Sequence, residues 1–69
     1  MKAEIITIGD EILIGQIIDT NSAWIAEQFN LNGIEICRIT TVRDKHDHIV
    51  EALKNAEHKM DLVILTGGL

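Results

Sequence analysis

Two short stretches carry the side chains whose types and spacing could do chemistry. The first is Gly9-Asp10-Glu11, continuing through Ile12-Leu13-Ile14 to Gly15-Gln16, and the second is Thr66-Gly67-Gly68-Leu69. Glycines leave a bare backbone that can approach an anion closely with its amides free to donate, and Thr66 sets a hydroxyl beside them. Carboxylates next to such a loop would repel a phosphate unless a hard dication such as Mg²⁺ lies between, because it takes oxygen ligands from both. The expectation is therefore a metal-bridged phosphate, with Asp10 and Glu11 toward the metal and Gly9, Thr66, Gly67 and Gly68 toward the anion. The plainer alternatives are that Asp10 and Glu11 cap turn amides and that Gly67-Gly68 is a tight turn after a strand. The first stretch lacks Gly-x-Gly-x-x-Gly, which disfavours a Rossmann cofactor site, and the chain has no Gly-x-x-x-x-Gly-Lys-Ser/Thr loop of a nucleotide hydrolase.

Other polar residues are less telling. Asp19-Thr20-Asn21 precedes a helical stretch, and all three side chains can cap it, while Asn21 or Asp19 could reach a ligand's polar groups from the helix end. His46, His48 and His58 are not at the i, i+4 spacing that turns two imidazoles toward one metal, so they read as solvated. Cys37 has no histidine nearby in sequence and sits in a strand, as a small core residue does. Trp24 lies beside the apolar stripe of its helix, at the rim of the buried face, where it is either partly buried core or an anchor for a subunit contact.

These stretches need a scaffold, and its outline is legible. Ala3 to Ile8 is a β-branched run closed by Gly9 and reads as a central strand. Asp61 to Thr66 is a continuous apolar run closed by Gly67-Gly68, which marks a strand covered on both faces in a parallel sheet. Ile34 to Val42 alternates, with Ile34, Ile36, Arg38, Thr40 and Val42 on one face and Glu35, Cys37, Ile39 and Thr41 on the other, as expected of an outer strand. Between them lie helices over roughly residues 21–32, with Thr20, Asn21 or Ser22 as cap and Gly33 at the end, and from near Asp44, with Ile49, Leu53, Ala56 and Met60 on one stripe. In that second helix Asp44 and Asp47 suit the positive end of the dipole and Lys59 the negative end. Strand, helix, strand, helix, strand with short joints is a pair of right-handed crossovers in an α/β fold, with sheet order 2-1-3. Ligands of such sheets bind at the carboxyl ends of the strands, which draws Gly9–Gln16 and Thr66–Leu69 together.

Composition narrows the partners. A hydrophobic share of 46% with 25% charged residues argues for a packed core rather than disorder. The net charge of −5, without any cluster of Lys or Arg, argues against nucleic acid and for a small-molecule ligand. No apolar run approaches the roughly 20 residues of a membrane span and no signal-peptide pattern follows Met1, so a cytoplasmic protein with no membrane partner is expected. A chain of 69 residues with one cysteine is too small to be comfortable alone, and its exposed sheet edge and helix faces favour a homo-oligomer.

The residues also resemble a known family. Ala3-Glu4-Ile5-Ile6-Thr7-Ile8-Gly9-Asp10-Glu11, Leu13-x-Gly15-Gln16, Asp19-Thr20-Asn21, Val42-x-Asp44 and Asp61-Leu62-Val63-Ile64-Leu65-Thr66-Gly67-Gly68-Leu69 are together similar to the N-terminal domain of the CinA (competence/damage-inducible protein) family, within the wider MoaB/MogA-like molybdopterin-binding fold. The likeness runs the length of the chain and departs at Arg43, where the family commonly has glycine. It implies a three-layer α/β/α domain of which residues 1–69 are the N-terminal, incomplete part. It also implies a glycine loop continuing as Gly-Pro-Thr with paired aspartates shortly after, so that the catalytic aspartates would lie beyond Leu69 and these residues alone would be inactive. Members of the family bind molybdopterin or nucleotides, CinA-type domains are associated with hydrolysis of ADP-ribose, and many carry a C-terminal nicotinamide mononucleotide deamidase domain. In a pyrophosphatase of this kind Asp10 and Glu11 would stand near a divalent cation, Thr66, Gly67 and Gly68 would hold phosphate, and Asn21 would orient the ligand. A pterin- or nucleotide-binding module without turnover would use the same loops.

Overall fold

The computed structural model of the chain describes residues 1–67; Gly68 and Leu69 lie outside the described residues. Six elements follow one another: β1 (Lys2–Ile8), α1 (Asp10–Leu13), α2 (Thr20–Leu31), β2 (Glu35–Val42), α3 (His46–Glu57) and β3 (Leu62–Gly67). The strands form one parallel sheet in the order β2-β1-β3, as the pattern of apolar runs requires. β1 is central, paired on both sides, and it supplies the core: Ala3, Ile5 and Ile6 are fully buried and Ile8 nearly so.

Partners in a parallel register share a face of the sheet. Ala3, Ile5 and Thr7 therefore stand in rows with Ile36, Ile39 and Thr41 of β2 and with Leu62, Ile64 and Thr66 of β3. This face is covered by α2, whose buried Ser22 hydrogen-bonds to Thr7. The opposite face carries Glu4, Ile6 and Ile8 between Arg38, Thr40 and Val42 on one side and Val63, Leu65 and Gly67 on the other. There α3 lies over the sheet, with Ala56 as its buried residue.

Several expectations are corrected. The stretch after Gly9 is not a loop throughout, because Asp10–Leu13 closes one helical turn before Gly15 turns the chain at a φ of 82°. The first long helix begins at Thr20 with Asp19 as its cap, and the second begins at His46, leaving Asp44 in the preceding turn and making Lys54, not Lys59, the basic residue of its last turn. Strict alternation fails in β2: Ala3 pairs with Ile36 but Glu4 pairs with Arg38, so Cys37 is an extra residue in a bulge. Ile36 and Arg38 consequently fall on different faces, and Ile39 joins the face of Ile5. That bulge, on an outer strand, also leaves Cys37 exposed rather than in the core, with its thiol 2.9 Å from a Glu35 carboxylate oxygen. The Glu35 hydrogen bond, followed by partial desolvation and the charge of Glu35, pushes the thiol above its usual range, which makes it a poor nucleophile. Trp24 is 63% exposed, beyond the rim position expected of it. Leu65 is 44% exposed, so the face of β3 that its apolar run marks for burial is only partly covered by these residues. Gly33 does adopt the left-handed conformation that ends α2, at a φ of 81°.

Candidate functional site

The strand ends converge as the topology demands. Ile8 pairs with Val42 on one side and with Gly67 on the other, so the chain leaves all three strands along one edge of the sheet. Asp10 and Glu11 follow Ile8 by two and three residues, and Gly67 is the partner of Ile8 itself. The acidic pair and the start of the glycine run are thus brought to a common edge.

Each residue expected there has a definite setting. Gly9 is buried in extended backbone, and its amide donates to the Val42 carbonyl at 3.1 Å, so it offers no free donor. Asp10 lies at the exposed start of α1 and accepts from the Asp44 amide at 3.3 Å, which ties α1 to the turn after β2. Glu11 folds back over Gly9, with a carboxylate oxygen 2.9 Å from where a Cβ on that glycine would be. Among the described residues no three His, Cys, Asp or Glu side chains form a group able to hold a metal. Asp10 and Glu11 fit a hard cation only if phosphate and water oxygens complete its shell, which is how Mg²⁺ is commonly held.

Gly67 has a φ of 88°, and a Cβ there would run into the backbone carbonyl of Ile8. Its identity is therefore required by the approach of two strands, before any ligand is considered. Thr66 is half-buried and pairs with Thr7, which pairs in turn with Thr41, so three threonines cross the sheet one step below the edge. Gly68, expected to contact phosphate, lies outside the described residues.

The sequence did not reveal how firmly α2 is fixed to this edge. Asp19 accepts from the Ser22 amide at 3.0 Å and from the Thr7 hydroxyl at 2.8 Å, and Thr7 and Ser22 oxygens lie 2.7 Å apart. Because the single Thr7 proton goes to Asp19, the Ser22 hydroxyl donates to Thr7. The signal available in sequence was Thr7, a polar residue between Ile6 and Ile8 in the central strand. Its effect is to hold the N-terminus of α2, with exposed Asn21 in its first turn, at the carboxyl end of β1.

Burial alone would raise the Asp19 carboxyl, but the hydrogen bonds from Ser22 and Thr7 outweigh it and hold the group below its ordinary value of 3.8. A carboxyl depressed in the folded state adds stability above its unfolded pKa and loses it as the pH falls through the folded one. Asp19→Asn should therefore unfold at a lower temperature than the parent at pH 7, by the equivalent of about 1 kcal/mol, because an amide that still caps through its oxygen cannot also accept the Thr7 proton. The gap between the two proteins should close as the pH is taken below 3.8. Melting curves by circular dichroism across that range would show it, and a gap independent of pH would remove the assigned role.

Among the described residues no helix is long and apolar enough to cross a membrane. Residues 4–69 match the family described as "Probable molybdopterin binding domain". A CinA-like protein of Flavobacterium psychrophilum is 51% identical over 69 residues, all of this chain and 16% of that protein. A CinA-like protein of Cytophaga hutchinsonii is 54% identical over 67 residues, 97% of this chain and again 16% of its own length. The crystal structure of the protein CinA with unknown function from Thermoplasma acidophilum superposes with a TM-score of 0.93 at 38% identity, over 99% of this chain and 40% of that one. The chain spans about a sixth of the length of these CinA-like relatives. With the sheet order, the strand-end edge and the matching sequence in agreement, the chain belongs to the family of molybdopterin-binding-type domains, in the form found in CinA-like proteins.

Proposed function

We propose that the edge formed by Asp10, Glu11, Thr66 and Gly67 is part of a site for the phosphate-bearing end of a nucleotide or pterin, and that the whole protein hydrolyses the pyrophosphate of ADP-ribose with a divalent cation. The observation that carries this reading is the pairing of Ile8 with Gly67, which sets two carboxylates and a bare backbone on one edge. Thr66 and Gly67, with Gly68 after them, hold phosphate, Gly9 lets it come close, and Asn21 orients the ligand from the start of α2. Asp10 and Glu11 face the cation. When bound, that cation supplies Lewis-acid stabilisation of the phosphate oxygens and a water more easily deprotonated. Hydrolysis would form one P–O bond to water, break one bridging P–O bond of the pyrophosphate and release AMP and ribose 5-phosphate.

Full-length protein incubated with ADP-ribose and Mg²⁺ should release AMP, and chelation of the metal should stop it. Asp10→Asn combined with Glu11→Gln should weaken metal-dependent binding of ADP-ribose by about tenfold or more, the order expected for losing charged partners; unchanged affinity by calorimetry would remove both from the site. Binding without turnover under any divalent cation would instead favour a pterin- or nucleotide-binding module.

A further inference from the structure

On the face of the sheet covered by α3, a cavity of about 440 Å³ runs from the middle of β2 toward α1. Its floor is Glu4, a carboxylate only 3% exposed in the central strand. One oxygen, Oε2, accepts from the Thr40 hydroxyl at 2.7 Å. Among the described residues no fully buried side-chain oxygen or nitrogen lacks a partner, and Oε1 accepts no hydrogen bond there, so Oε1 is not fully enclosed. Glu4 lines the cavity, which is where a further donor could reach it. A buried carboxylate served by one hydroxyl is an expensive arrangement unless something else donates to it.

The walls specify what could do so. Leu13, Val42 and Ala52 offer flat apolar contact, as ligand pockets usually do around a few fixed polar groups. Arg38, Arg43 and His48 stand toward the mouth against one acid, Glu51. Leu13 belongs to the same short helix that begins with Asp10 and Glu11, so the cavity adjoins the strand-end edge.

The geometry points to a subsite for the ring of an amino-substituted heterocycle, whose exocyclic N–H donates to Glu4 Oε1 while its anionic tail leaves past the arginines toward the strand ends. An adenine 6-amino group and a pterin 2-amino group present the same donor, so both sources share this chemistry. The inference rests on the phosphate-site reading above and adds the recognition of the ring. A pocket built to accept from an amino group rejects an oxo analogue, because two acceptors then face each other.

The test is calorimetric, on the full-length protein with Mg²⁺, with two matched pairs of ligands. ADP-ribose is compared with its hypoxanthine analogue, and pterin-6-carboxylate with lumazine-6-carboxylate, which carries oxygen in place of the 2-amino group. In whichever pair is the natural class, the amino member should bind about tenfold or more tightly, the order set by one unpaired buried polar group. Glu4→Gln keeps the shape, and its amide oxygen can still take the Thr40 proton, which turns the NH₂ toward the cavity. The preference should then fall to parity or reverse in favour of the oxo member, with the circular-dichroism melt confirming a folded protein. Asp10→Asn with Glu11→Gln should lower affinity for both members of the pair and leave their ratio intact. Equal affinity for amino and oxo members in both pairs, or a ratio untouched by Glu4→Gln, overturns the subsite while leaving the phosphate edge standing. Failure of all four ligands to bind overturns both.

Discussion

Gly67→Ala should cost the folded protein at least about 2 kcal/mol, combining a strained left-handed residue with a steric collision. The φ of 88° at this position is one that a residue with a Cβ adopts only under strain, and the new methyl would meet the carbonyl of Ile8 in the neighbouring strand. Neither partner can yield easily. Ile8 sits in the central strand, nearly buried, and its neighbours on both sides are paired to it. Relief would require β3 to move away from β1 at its carboxyl end, which is where the proposed phosphate contacts lie. The substitution should therefore lower the melting temperature and weaken ADP-ribose binding together. Gly15→Ala, at a φ of 82° but with open space around it, is the natural comparison: it carries the backbone strain without the collision and should cost less. If Gly67→Ala and Gly15→Ala were equally mild in thermal melts, the close approach of β1 and β3 would not be what requires glycine.

Ile5→Ala should be the most damaging change in the core. Ile5 is fully buried, and its row holds Ile39 and Ile64 on the face that α2 covers. Removing three carbons from such a position costs about 2–5 kcal/mol in transfer and cavity terms together. At roughly 0.05–0.15 kcal/mol per residue a chain of this size has only some 3–10 kcal/mol in all, so the loss is comparable with the whole. The variant should melt far below the parent in guanidinium or on heating. Glu27→Ala, at an exposed position on α2, should stay within about 0.5 kcal/mol. Similar midpoints for the two variants would contradict the central place given to β1.

Both predictions depend on β1, and β1 was the element most legible in the sequence. A β-branched run closed by glycine, a second apolar run closed by two glycines and an alternating run between them were enough to specify a parallel sheet in the order 2-1-3. Of the helices, α2 was legible to within one residue at each end and α3 to within two or three, while the short α1 was not anticipated. Asp19 took the cap of α2 because its carboxylate alone reaches both the Ser22 amide and the Thr7 hydroxyl, a choice that periodicity cannot express. Likewise α3 starts at His46 rather than near Asp44, since Lys45 before it is extended while the Asp44 amide reaches across to Asp10.

The sequence nominated candidate residues, but not their settings. Residue type and order nominated Asp10, Glu11, Thr66 and Gly67, with turn capping and a tight turn as their plainer uses. Only the register disclosed that Gly67 is needed by Ile8, that the Gly9 amide is already taken by Val42, and that a bulge at Cys37 sends Arg38 and Thr40 to the same side as Glu4. The reason is one of range. Periodicity and turn chemistry are properties of neighbours along the chain, and they determined the strands, the helices and their order. Which carboxylate is buried, which amide remains free and which face a side chain occupies depend on residues tens of positions apart being packed together, and the folded arrangement alone decided these.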